Sequence, residues 1–95
     1  MSAVIEQAVA ALNARMDGGF DGTAKFVVEE EGAIMIDESG ARAGDEAADV
    51  TMTADADTFR SILDGDLNPT TAFMTGRLKV DGDMGQAMKL GSVLS

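Results

Sequence analysis

Between residues 2 and 16 the apolar positions Ile5, Val9, Leu12 and Met16 fall at offsets of four, three and four, which places them on one face of a helix. Ser2 stands where an N-cap hydroxyl is wanted, Gly18-Gly19 ends the pattern, and alanines at 3, 8, 10, 11 and 14 favour helix and permit close packing. Glu6, Gln7 and the single base Arg15 on the polar positions argue for a packing helix and against one lying on a membrane. From Thr23 the period changes from about four to two. Phe26 and Val28 alternate with Lys25, Val27 and Glu29, Glu31-Gly32 turns the chain, and Ile34 and Ile36 follow within residues 33–37, the pattern of a β-hairpin. Ser39-Gly40 marks a second turn, a weaker strand begins near Ala41-Arg42-Ala43, and Val50 and Met52 alternate with Thr51 and Thr53 in a further strand with one buried face.

Helical spacing returns at Asp55, an N-cap candidate, with Phe59, Ile62 and Leu63 on one side and Gly65 where a C′ glycine stops a helix. Asn68-Pro69 restarts helix with proline at its favoured first position, Ala72 and Phe73 are expected to face inward, and Gly76 breaks the turn. Leu78 and Val80 alternate with Arg77, Lys79 and Asp81 in a last strand. Asp83 and Gln86 then form a capping-box pattern for a final helix with Met84, Met88 and Leu94 on roughly one stripe. Gly85 and Gly91 each cost that helix about 1 kcal/mol relative to Ala, which fits either close packing on the sheet or a mobile gate. The order is helix, strands, two helices, strand, helix, in one domain over residues 1–95 with no repeat, low-complexity tract or linker.

Ninety-five residues support one modest core. Four aromatics, all Phe, stand beside seven Met, so flexible side chains dominate the bulky set; they fill gaps in an ordinary core or line a cavity that adapts to variable contents. Seven bases against 17 acids give a formal charge of −10, which opposes nucleic acid and stable residence on anionic membranes. No apolar run approaches the roughly twenty residues of a spanning helix, and the start Met1-Ser2-Ala3 has no basic segment leading an apolar one. A soluble, cytoplasmic protein is the expectation. With no cysteine, disulfides are excluded and the redox compartment stays open.

Catalytic chemistry finds few candidates. His, Cys, Tyr and Trp are absent, serine has no visible partner, and the carboxylates sit mainly at caps and turns, so no enzyme is expected. Asp64, Asp66 and Asn68 reproduce the first three oxygen ligands of an EF-hand loop, but Pro69 replaces the glycine at its sixth position and Thr75 the glutamate at its twelfth. Neither a metal nor a cofactor is expected. Glycines 82 and 85 do not make a nucleotide-binding fingerprint.

The ordered set Asp57-Thr58-Phe59, Leu63-Asp64-Gly65-Asp66 and the run from Leu67-Asn68-Pro69 through Ala72-Phe73-Met74, Gly76-Arg77-Leu78-Lys79-Val80 and Gly82-Asp83 resembles the sterol carrier protein 2 family over nearly the whole chain. That resemblance implies an α+β fold: a five-stranded, mostly antiparallel sheet with helices packed on one face and the other face partly exposed. It also implies non-catalytic binding, and transfer, of a hydrophobic lipid in an apolar tunnel between sheet and short helices: a fatty acid, acyl-CoA, sterol or isoprenoid tail. The compact chain favours fatty-acyl or isoprenoid tails over sterols. The alternative is an accessory domain presenting a lipid intermediate to partner enzymes, as relatives do in quinone biosynthesis. Ligand contacts are expected from Phe26, Val28, Ile34, Ile36 and Met52 of the early strands, Phe59, Ile62 and Leu63, Phe73 and Met74, Leu78, and Met84, Met88 and Leu94. On residue type alone, without the resemblance, the same side chains favour a filled core over a hollow one. The ending Val93-Leu94-Ser95 differs from the peroxisomal tripeptide of some relatives.

Overall fold

The computed structural model describes residues 3–16 and 19–94, the side chain of Leu94 excepted. The N-cap expected at Ser2 and the break expected at Gly18 lie outside the described residues. The elements follow the anticipated order: α1 (Ala3–Met16), β1 (Ala24–Val28), β2 (Gly32–Asp37), β3 (Gly40–Ala43), β4 (Val50–Ala54), α2 (Ala56–Asp64), α3 (Pro69–Met74), β5 (Lys79–Gly82) and α4 (Met84–Leu94).

Five strands form one mixed sheet in the order β3-β2-β1-β4-β5. Three of the four ladders are antiparallel, and β4 joins β1 in parallel. At the outer edge of β3, Asn13 of α1 takes both backbone groups of Ala41. Its Nδ2 donates to Ala41 O at 3.0 Å, and its Oδ1 accepts from Ala41 N at 2.8 Å. A helix side chain placed on an edge in this way hinders further pairing there, and β4 pairs with the other side of β1.

The connection over residues 44–49 therefore crosses the outer face of the sheet. It lays Asp45 on Lys25 at 2.8 Å and the Glu46 N–H against Met35 Sδ at 3.4 Å, and Arg42 bridges Asp37 and Glu46. Met35 is buried under this strap although it points away from the helices. The outer face is thus partly covered by chain as well as partly wet.

On the inner face the register aligns Phe26 with Ile34 and Met52, and these pack with Val28, Ile36, Val50 and Ala54 beneath α1, α2 and α4. In α1 the buried face is Ile5, Ala8, Leu12 and Met16, with Val9 only half-buried, so the contact stripe is centred closer to Ala8 than the bulky residues suggested. The small side chain permits that approach.

Two helix ends position the functional half of the molecule. In α2, Asp55 Oδ1 accepts from Thr58 N at 2.7 Å. At the other end Gly65, at φ 84°, sends its N–H to Ile62 O while Asp66 N reaches Ser61 O, the paired bonds of a Schellman stop. Helix α3 repeats the device: Asn68 caps Thr70 N, and Gly76, at φ 80°, bonds Phe73 O while Arg77 N reaches Ala72 O. Ala72 O also accepts from Leu78 N, which fixes the start of β5 against the helix. The inward orientation expected of Phe73 is corrected here. Ala72 is fully buried, but Phe73, one step of about 100° further round, is 44% exposed. The capping box expected of Asp83 and Gln86 is one-sided. Asp83 Oδ1 accepts from the N–H groups of Gly85 and Gln86, but the N–H of Asp83 donates to Asp49 O, and Gln86 Oε1 lies buried beside Gly22 with no hydrogen-bond partner among the described residues.

Candidate functional site

Where α3, β5 and α4 meet beyond β4, they do not close on one another, and a cleft of about 410 Å³ remains. Its floor comes from Met52 of β4 and Val80 of β5, paired across the ladder, together with buried Leu78. One wall is α3, through Pro69, Thr70 and Phe73. The other is α4, through Met84, Ala87, Met88 and Gly91, with Ser92 beside them. These four α4 residues are spaced i, i+3, i+4 and i+7, the geometry of a single helix face. Leu90, fully buried, and Ala87 anchor α4 to the core, while Met84 and Met88 stand 49% and 73% exposed at the lip opposite Phe73.

The lining is apolar except for Asn68, Thr70 and Ser92. Asn68 Oδ1 already accepts from the backbone of Thr70, and Ser92 Oγ donates to Met88 O at 3.2 Å. No lining residue carries a titratable side chain, so the cleft walls offer shape and apolar contact and hold no acid–base pair. The two segments that build it, residues 67–80 and 84–95, contain Arg77, Lys79 and Lys89 and none of the chain's 17 acids. Lys89 lies 3.6 Å from Asp21. Arg77 acts on Asp55, whose carboxyl is held below its ordinary range chiefly by the Thr58 backbone N–H, with Arg77 adding a smaller electrostatic contribution. The cleft lining itself thus carries no charged side chain, on a chain of net charge −10.

The fourteen expected contact residues separate into distinct environments. Met52, Phe73, Leu78, Met84 and Met88 line the cleft. Phe26, Val28, Ile34, Ile36 and Ile62 are packed in the solid interior, at most 1% exposed. Phe59 is equally buried and, with Leu63, forms one side of a smaller cleft of about 210 Å³ between α1 and α2 that also carries Gln7, Arg60 and Asp64. Met74, one residue past Phe73, is 78% exposed and does not reach the main cleft. The side chain of Leu94 lies outside the described residues. Sequence reasoning passed over Asn68, Pro69, Thr70, Val80, Ala87, Gly91 and Ser92. The signal available for Ala87 and Gly91 was their helical phase with Met84 and Met88; their small size hid it. Among the described residues no helix is long and apolar enough to cross a membrane.

Residues 5–95 match the family model described as the SCP-2 sterol transfer family. The hydroxysteroid dehydrogenase-like protein 2 of Xenopus tropicalis is 49% identical over 47 residues, which are 50% of this chain and 11% of that protein. Sterol carrier protein 2 of Homo sapiens is 51% identical over 47 residues, 48% of this chain and 8% of that protein. The matched segments therefore span about a tenth of the length of these curated relatives. Among solved structures, sterol carrier protein 2 of Aedes aegypti, in complex with the C16 fatty acid palmitate, superposes with a TM-score of 0.79 over 100% of this chain and 97% of that one, at 20% identity. That likeness establishes the shared fold.

Proposed function

The chain belongs to the SCP-2 sterol transfer family, and from that premise we propose that it binds and carries a hydrophobic lipid, without catalysis, in the cleft between α3, α4 and the β4–β5 edge of the sheet. The observation that carries this reading is the cleft itself: about 410 Å³ of space, walled by apolar side chains and flanked by exposed Phe73, Met84 and Met88. Large apolar groups left in water around a concavity gain by being covered. A hydrocarbon chain entering it gains about 0.8 kcal/mol per methylene removed from water, enough for a long chain to offset its ordering without a charged anchor. The absence of acids from the two cleft segments spares an anionic headgroup the repulsion it would meet elsewhere on a chain of net charge −10.

A fatty acid, an acyl-CoA, a sterol and an isoprenoid tail all satisfy this description at the level of chemistry; the modest volume of about 410 Å³ favours single acyl or isoprenyl chains. Native mass spectrometry of the purified protein is expected to show a bound lipid that organic extraction removes and added palmitate replaces. Lipid-free protein that takes up no palmitate overturns the reading.

A second reading has its own support, since the matched segments occupy only 11% and 8% of much longer relatives. In it the domain presents its lipid to a partner enzyme, whose basic surface the acidic remainder of the chain attracts. Retention of an enzyme in a pull-down, with lipid leaving the cleft only in that enzyme's presence, separates this reading from free transfer.

A further inference from the structure

Helix α4 carries one glycine that nothing in the fold requires. Gly91 is not among the glycines with positive φ, and it sits inside a helix, where glycine is the poorest choice after proline. Close packing does not explain it either, because among the described residues a Cβ built at Gly91 meets no neighbouring atom within 4 Å. Gly85 differs: a Cβ there would stand 3.1 Å from Asp83 Oδ1, the oxygen that accepts the Gly85 N–H. The two glycines are alike in the sequence and unlike in their surroundings.

What Gly91 does face is the cleft. It ends the row Met84, Ala87, Met88, Gly91, all four of which line that space, so helix geometry directs any side chain placed there toward the cleft. We propose that Gly91 sets the length of hydrocarbon chain the cleft accepts, its missing side chain leaving room for the far end of the tail. This assignment rests on the lipid reading and goes beyond it by naming the residue that selects among acyl chains. A side chain at position 91 keeps the terminal methylenes of a long tail in water, and each methylene so excluded weakens binding about fourfold. Shorter tails, which stop before position 91, are unaffected.

The test is calorimetric titration of the full chain and its Gly91→Ala and Gly91→Leu variants with decanoate and palmitate. Wild-type protein is expected to bind palmitate more tightly than decanoate. Gly91→Leu is expected to weaken palmitate about fifteenfold, as for two excluded methylenes, with decanoate held within about twofold; Gly91→Ala falls between. Both variants are expected to melt above wild type, since Ala and Leu are better helix formers than Gly, so weakened palmitate binding in a more stable protein cannot come from unfolding. Equal palmitate affinity in wild type and Gly91→Leu, or equal losses for both acids, overturns the assignment while leaving the lipid reading intact. Wild-type protein that binds neither acid rejects both.

Discussion

Phe26 in the middle of β1 and Phe59 on α2 meet with ring centroids 4.4 Å apart and planes inclined at 47°. This tilted contact fills the centre of the domain, above the strand that four others flank. Space for a ligand consequently lies to one side, along the β5 edge, where α3 and α4 approach without interlocking. The division between a solid centre and an open margin separates residues packed in the core from residues that line the cleft.

Truncating the central pair is expected to act on stability. Phe59 is 1% exposed, and Phe59→Ala is expected to lower unfolding free energy by about 3–5 kcal/mol, the range for large aromatic truncations in cores. Phe73→Ala, at a half-exposed position, is expected to lower it by no more than about 1 kcal/mol. Urea unfolding followed by far-ultraviolet circular dichroism measures both.

Placing a carboxylate at Phe73 is expected to act on binding. Because the side chain is 44% exposed, Phe73→Asp retains the fold; because it walls the cleft, the charge and the lost apolar contact reduce palmitate affinity by at least about tenfold. Lys25→Ala, on the opposite face beside Asp45, is expected to leave affinity unchanged. Equal binding by wild type and Phe73→Asp, with both folded by circular dichroism, moves the ligand out of this cleft.

Acid sensitivity is expected to depend on the α2 cap. The Asp55 carboxyl is held below its ordinary value chiefly by the backbone N–H of Thr58. A carboxylate depressed in the folded state stabilises it fully above the unfolded value, about pH 4, and loses that contribution as pH falls through the lower folded value. Asp55→Asn keeps a capping oxygen but cannot titrate, so its melting temperature is expected to fall less between pH 5 and pH 2 than that of wild type. Asp55→Ala removes the cap and is expected to melt lower than wild type at pH 7.

Local chemistry made much of the fold legible. The stops at Gly65 and Gly76 follow from a residue free to adopt positive φ after an amphipathic turn, and the starts at Asp55 and Asn68 from side chains that accept backbone N–H groups. The alternation through Phe26, Val28, Ile34, Ile36, Val50 and Met52 likewise specifies strands with one buried face. The site was less legible. Apolar residues on neighbouring strands and helices have the same composition whether they interlock or line a gap, so Phe26 and Ile34 could not be told from Met52 and Leu78 by type or spacing. Met74 was grouped with Phe73 by adjacency, although one helical step carries it away from the cleft. Gly91 drew notice as a weak point in its helix, suited to close packing or to a gate, and not as a lining residue.

The residues by themselves determined the order and type of the elements, that β1 and β4 bury one face, and that no histidine or cysteine chemistry is available, because these depend on properties of single residues and on spacing within one element. Only the tertiary structure decided that Asn13 bonds the β3 edge at Ala41 and that β4 lies parallel to β1. It also decided that the centre is filled by Phe26 and Phe59, and that the open volume falls between α3 and α4. Those outcomes depend on how separate elements meet, and a gap is the failure of two surfaces to interlock, which neither surface encodes alone.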